Sequence, residues 1–277
     1  MPRLIVTADD VGLHPGMTAG AIRAHRDGIV TACSIVANGA AFDDAVERLR
    51  AEPHLEVGVH LALVEERPVA SDVPSLIAED GRMTKKWTRL LPRYALGLVR
   101  IGDVERELRA QIERVLNAGI RPSHLNGHQH LHLLPRVFDV VLRLAREYGI
   151  GYVRTVSEPA TLARGPFRAA SIAALSRLGR AARKRARSQA ITTNDATVGV
   201  LDAGHLTADR LIALLDDIDG VTELVCHPGD GDTALAAAYD WRYDWTAETD
   251  ALCDPRVARM IQERGIELGT PSGLPSS

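Results

Sequence analysis

Three cysteines in 277 residues, at positions 33, 226 and 253, are too few, too scattered and odd in number. That excludes a disulfide framework and a cysteine-only zinc site. Neither sign of charge is in excess: 33 Lys and Arg stand against 36 Asp and Glu, a net of −3. A dedicated nucleic-acid binder would show a basic surplus, so nucleic acid is not an expected partner. No run approaches the roughly 20 apolar residues of a membrane span. The opening MPRLIVTADD meets two aspartates too soon for the apolar stretch of a secretory signal. The expectation is a cytoplasmic protein without a transmembrane segment, with peripheral membrane contact and homo-oligomer formation left open. Aromatics are scarce at 4%, and histidines number 10. The rest, 45% hydrophobic and 25% charged, is a globular composition. At this length one barrel-sized domain over residues 1–277 with extra helices is expected.

Apolar runs and helical periods alternate along the chain. Strands are expected at residues 4–8, 31–36, 55–63, 122–126, 152–156, 190–193, 222–227 and 266–268. Helices are expected at 17–26, 42–50, 104–117, 135–148, 167–188, 208–217 and 254–264, with Gly28 and Gly119 as stop signals and Pro135 as a start. Such β-α alternation with short connections predicts an α/β fold of seven or eight mostly parallel strands, open or closed as a barrel. Residues 64–100, with Pro68, Pro74, Gly81 and Pro92, break the rhythm and read as a long loop excursion over one end of the fold.

The few histidines are unevenly spread: His124, His128, His130 and His132 fall within nine residues. Buried imidazoles need partners, and neutral imidazole is a common metal ligand, so metal binding by some of the four outweighs a fortuitous exposed loop. Alternation along an extended segment lets His124, Asn126 and His128 share one face. Asp9 and Asp10 end the first strand, where parallel folds place their sites. Adjacent carboxylates need a cation, a shared proton or solvent; one ligand plus one general base is the functional reading, a solvated turn the plain one. His60 ends the third strand and His227 the seventh. His227 suits a general acid whose tautomer is held by Asp230 or a backbone carbonyl. Cys226 should point to the opposite face and pack.

Two further features carry two readings each. The segment 180–187 holds Arg180, Arg183, Lys184, Arg185 and Arg187; at this net charge a solvated helix face outweighs a nucleic-acid patch, and contact with anionic lipid is the weaker reading. Tyr239, Trp241, Tyr243 and Trp245 are four of eleven aromatics at period two, suited equally to a sugar-stacking wall and to the edge of a core.

Together these motifs resemble the YdjC-like carbohydrate deacetylases, the family that includes chitooligosaccharide deacetylases. The matching stretches are residues 7–12 (TADDVG), 58–61 (GVHL), the histidine cluster through Leu134-Pro135, residues 193–195 (TND) and 226–229 (CHPG), in order over nearly the whole chain. The aromatic run followed by Glu248 and Ala251-Leu252 resembles the hopanoid-biosynthesis branch. The resemblance implies a (β/α) barrel-like fold of the NodB deacetylase type and one divalent metal, zinc first, with Mg, Mn, Co or Ni compatible. It implies metal ligands at Asp10, His60 and His128, a catalytic base at Asp9 and a catalytic acid at His227. The third ligand falls in the histidine cluster, where His128 matches best and His130 or His124 is the alternative ligand, or else a support or substrate contact; Arg154 is a candidate for a substrate hydrogen bond. Asn126 stands where the family pattern has Asp, which bears on how a ligand histidine is oriented. The implied reaction is removal of an N-acetyl group from an N-acetylglucosamine-containing carbohydrate or glycolipid, acetate being released. A metal-dependent phosphoesterase and a non-catalytic carbohydrate or glycolipid binder are the competing readings.

Overall fold

Eight consecutive buried residues, Leu4 to Val11, form the axis of the fold. In the computed structural model, which describes residues 1–159 and 165–274, they make up most of β1 (Arg3–Val11). A strand buried on both faces belongs inside a parallel sheet. The strands that follow are β2 (Ala32–Ile35), β3 (Glu56–Leu61), β4 (His124–Gly127), β5 (Tyr152–Val153), β6 (Ala196–Val198), β7 (Val221–Cys226) and β8 (Glu267–Gly269). All their pairings among the described residues are parallel, in the order β5-β4-β3-β2-β1-β7-β6, with β8 beside the amino end of β1. The sheet curls until its edges meet. The Val153 amide donates to the Thr192 carbonyl at 3.0 Å, and the Thr197 amide to the Ser157 carbonyl at 3.1 Å. The fold is therefore the expected barrel-like α/β type.

Ten helices wrap the described sheet: α1 (Pro15–Arg26), α2 (Phe42–Leu49), α3 (Trp87–Ala95), α4 (Ile101–Asn117), α5 (Pro135–Glu147), α6 (Pro166–Arg187), α7 (Ala208–Leu214), α8 (Asp232–Ala238), α9 (Trp245–Leu252) and α10 (Pro255–Glu263). Local chemistry sets their ends. The His14 ring accepts from the Gly16 amide with Pro15 in the first turn of α1, and Asp254 does the same for the Arg256 amide ahead of α10. In α4, Val104, Leu108, Ile112 and Val115 recur at helical spacing and are all buried.

Two expectations are corrected. The strand at 190–193 lies later, at Ala196–Val198; Ala190 turns left-handed (φ 56°), and only Thr192 bridges to Tyr152. The 64–100 excursion is not loop throughout: it carries α3 and an Ile77–Met83 bridge. Two buried carboxylates of α4 fasten it, Glu107 accepting from the Val69 and Ala70 amides and Asp103 from the Ser75 amide. The aromatic row spans the α8–α9 connection and enters α9 at Trp245. In the basic segment Arg183 and Arg187 bind Asp195 and Arg185 binds Asp139, the chemistry of a helix face paired to its own protein.

Glu158 holds the turn that leads away from β6. Its carboxylate accepts from the Gly199 amide at 3.0 Å and the Leu201 amide at 2.9 Å. Burial pushes this carboxyl up to about 7, against those two donors. A folded-state pKa above the unfolded one means the folded protein holds the proton longer. Stability is then full below the ordinary Glu range and is lost as pH rises toward 7. Urea unfolding of the wild type should lose about 2 kcal/mol between pH 5 and pH 8 from this group. Glu158→Gln should remove that part of the slope; an unchanged slope would show that Glu158 is not its source.

Candidate metal centre and active site

The carboxyl ends of the strands deliver the polar groups. Inward positions of β1, β2, β3 and β4 place Asp9, Ser34, His60 and Asn126 around one point, and Arg154 joins them just past β5. Strict alternation would send Asp10 away from its neighbour. The backbone prevents that. The β1–β2 register runs Ala8 to Cys33 and then Val11 to Ile35, one residue extra on β1, and Asp10 adopts φ 66°. This bulge re-aims a side chain at a strand end, so both carboxylates reach the same cavity.

Asp9 is almost fully enclosed. Ser34 Oγ donates to its Oδ1 at 2.7 Å, Asn126 Nδ2 at 3.1 Å and Arg154 Nη2 at 2.9 Å, while Arg154 Nη1 holds Oδ2. Burial alone would raise its pKa, but the Arg154 guanidinium and nearby imidazoles hold the carboxyl far below the usual range. Arg154 also binds Glu223 at 2.8 Å, and Glu223 accepts from Thr7 and Tyr152 at 2.7 Å each. Below this layer the His124 ring lies where a Cβ on Gly58 would stand 2.4 Å away, so glycine is required there. These side chains fill the barrel floor.

Among the described residues Asp10 pairs with imidazoles and with no Lys or Arg. Its Oδ1 lies 2.8 Å from His128 Nδ1 and 3.3 Å from His60 Nε2. One donor atom from each of Asp10, His60 and His128 falls within 4.8 Å of the others, and all three residues are buried. His60 Nδ1 is engaged by Asn126 Oδ1 at 2.7 Å, which leaves Nε2 turned to the cluster. Asn126 thus orients the ring, as a carbonyl or carboxylate behind a metal-binding histidine does. Burial would depress His128, but Asp10 and Glu65 pull it up to about 10. A carboxylate crowded by two imidazoles fits a divalent cation, and one oxygen with two nitrogens suits zinc or a mixed-donor transition metal.

His227 stands across the centre, Nε2 4.0 Å from Asp10 Oδ2. Its amide donates to Glu248 Oε1 at 2.6 Å, and Nδ1 lies 3.8 Å from the same oxygen. Asp230, expected to hold the ring, turns instead to Arg23 at 3.3 Å, and Glu248 is the carboxylate packed nearest Nδ1. Arg154, expected to meet substrate, is 0% exposed and bound to Asp9 and Glu223, so its contact in the structure is to the Asp9 carboxylate. The four clustered histidines separate because β4 ends at Gly127 and Gln129 and His130 turn left-handed. His128 reaches Asp10, and His130 lines the cavity. His124 stays in the floor beside Ser123, its pKa pushed down to about 3 by burial. His132 Nε2 meets the Arg154 carbonyl at 3.0 Å.

Glu65 escaped the sequence reading. It follows the β3 run that carries His60, with φ 73°. Its carboxylate lies 3.3 Å from His128 Nε2 and accepts from Trp241 Nε1 at 3.3 Å and Gln129 Nε2 at 3.2 Å. The aromatic run divides in the same way: Trp245 is 1% exposed in a small core with Leu13 and Met17, while Trp241 and Tyr243 face the site. Above the centre opens a cavity of about 660 Å³. Asp9, Asp10 and His227 form its polar end; Leu134, Ile172, Leu175, Leu178 and Leu201 give it an apolar wall.

The family model described as YdjC-like protein matches residues 3–263. A carbohydrate deacetylase of Geobacillus stearothermophilus is 35% identical over 273 residues, covering 98% of this chain and 97% of the relative. One of Brevibacillus brevis is 30% identical over 98% of this chain and 99% of its own. Among solved structures, a putative cellobiose-phosphate cleavage protein of Enterococcus faecalis V583 superposes with a TM-score of 0.78 at 28% identity, covering 98% of this chain and 97% of its own. A peptidoglycan N-acetylglucosamine deacetylase, TM-score 0.50 and 14% identity over 99% of this chain and 89% of its own, shares the fold. Matched along almost its whole length by that model and by full-length relatives, the chain belongs to the YdjC-like family.

Proposed function

We propose that the protein is a metal-dependent carbohydrate deacetylase that hydrolyses the N-acetyl group of an N-acetylglucosamine-containing conjugate to acetate and a free amine. The observation that carries this is the convergence of Asp10, His60 and His128 on one point, with Asp9 and His227 flanking it at the end of a substrate-sized cavity. The full-length relatives named carbohydrate deacetylase support the same reading. Asp10 with the two imidazoles would hold the cation. When bound, a divalent ion there supplies Lewis acidity to the acetamide carbonyl and acidifies the attacking water. Asp9, kept ionised by Arg154, receives that water's proton. His227, backed by Glu248, gives a proton to the departing amine nitrogen. Trp241 and Tyr243 offer faces to the sugar.

The apolar wall favours an amphiphilic substrate: the sugar at the polar end and an apolar group, such as a hopanoid, against α6. A test incubates chelator-stripped protein, reloaded with zinc or with Mg, Mn, Co or Ni, with acetylated chitooligosaccharides and with a lipid-linked N-acetylglucosamine. Mass spectrometry should find one acetyl group lost only after reloading, with a higher kcat/KM for the lipid-linked sugar. Equal turnover by stripped protein would refute metal dependence, and a preference for the free oligosaccharide would refute the glycolipid. A phosphoesterase would favour two metals; among the described residues one three-residue cluster is found.

A further inference from the structure

The described surface exposes five large hydrophobic side chains, and three of them fall in one short stretch: Trp87 (38% exposed), Leu96 (74%) and Leu98 (57%). Trp87 opens α3, and Leu96 and Leu98 lie in the turn between α3 and α4. Pro92, Ala95 and Gly97 are exposed beside them. Charge on this stretch is of one sign. From residue 81 to residue 102 there are six cations, Arg82, Lys85, Lys86, Arg89, Arg93 and Arg100, and no carboxylate, in a chain whose net charge is −3. Three of the six are engaged: Arg82 with Glu66, Arg93 with the Ser75 carbonyl, and Lys86 with the exposed Asp240. Lys85, Arg89 and Arg100 are exposed.

We infer that α3 and the turn after it form a docking surface for an anionic lipid bilayer. Exposed Leu and Trp amid Lys and Arg, on a helix lying along the surface, is the composition of an interfacial element, in which apolar side chains enter the headgroup boundary and cations meet lipid phosphates. Continuity with the cavity supports the same partner. Lys86, Trp87 and Leu91 of this stretch line the cavity together with apolar residues of α6. The Trp87 amide donates to Gln129 Oε1, and Gln129 also reaches Glu65, so the docking element is tied to a residue beside the metal centre. A bilayer at this face would lie against the cavity opening, where an amphiphile could pass without crossing water.

The experiment needs no catalysis, so failure of docking and failure of the deacetylase reading are separately visible. The full-length protein is sedimented with phosphatidylcholine vesicles and with vesicles containing phosphatidylglycerol. Binding should appear with the anionic vesicles, weaken by about tenfold as salt is raised, and fall by about tenfold in Leu96→Asp/Leu98→Asp. Both leucines are exposed and neither lines the cavity, so that variant should keep the wild-type urea midpoint, which reports that it is folded. Equal sedimentation with neutral and anionic vesicles, or undiminished binding by the variant, overturns the proposal. So does light scattering that shows a dimer in the wild type and a monomer in the variant, since the patch would then cover a second copy of the chain.

Discussion

Asp9→Asn should retain one divalent ion per chain and lose turnover by a factor on the order of 10³. The proposed cation ligands are Asp10, His60 and His128, none of which the substitution touches. Asparagine fills the same space and still accepts from Ser34 and Asn126, but it cannot take a proton from the attacking water. Metal content by elemental analysis and acetate release, measured on one preparation, separate these effects. Joint loss of metal and activity would make Asp9 part of the cation site; unimpaired acetate release would remove it from proton transfer.

Arg154→Met should cost about 3–5 kcal/mol of unfolding free energy, because it strands two buried carboxylates without their cation. Asp9 and Glu223 both bind this guanidinium, and both are buried. Adding Glu223→Gln to Arg154→Met should recover part of the loss, since one uncompensated charge goes with it. Urea denaturation of the wild type and both variants measures the difference. A loss below about 1 kcal/mol would mean that water reaches the pair and shares its charge.

The order of strands was legible because the chain punctuates them with helices and glycines, and because strands buried on both faces read as unbroken apolar runs. Asp10, His60 and His227 stood out for the same reason: each closes such a run. What lay further off in sequence was not legible. Glu248 sits in α9, a helix that the sequence pattern did not announce, and only packing brings it behind His227. Glu65 was visible as a carboxylate just past the His60 strand, but its turn toward His128 depends on a left-handed residue that the expected long loop gave no reason to suspect. The Arg154 contact was misjudged because a strand-end arginine looks the same whether it faces substrate or a neighbouring carboxylate. The strand at 196–198 was missed because its three residues carry too little pattern to outweigh the more apolar stretch before it.

The turn at Asp10 makes two chemically identical neighbours unequal. One aspartate is an anchored anion among donors; the next is an open ligand among imidazoles. Nothing in their side chains distinguishes them, so the division of labour is written in backbone geometry. An alignment that slides by one residue at this point still matches aspartate to aspartate, and so conceals an exchange of roles. Deleting either one leaves a single carboxylate that must serve as proton acceptor or as cation ligand, but not as both.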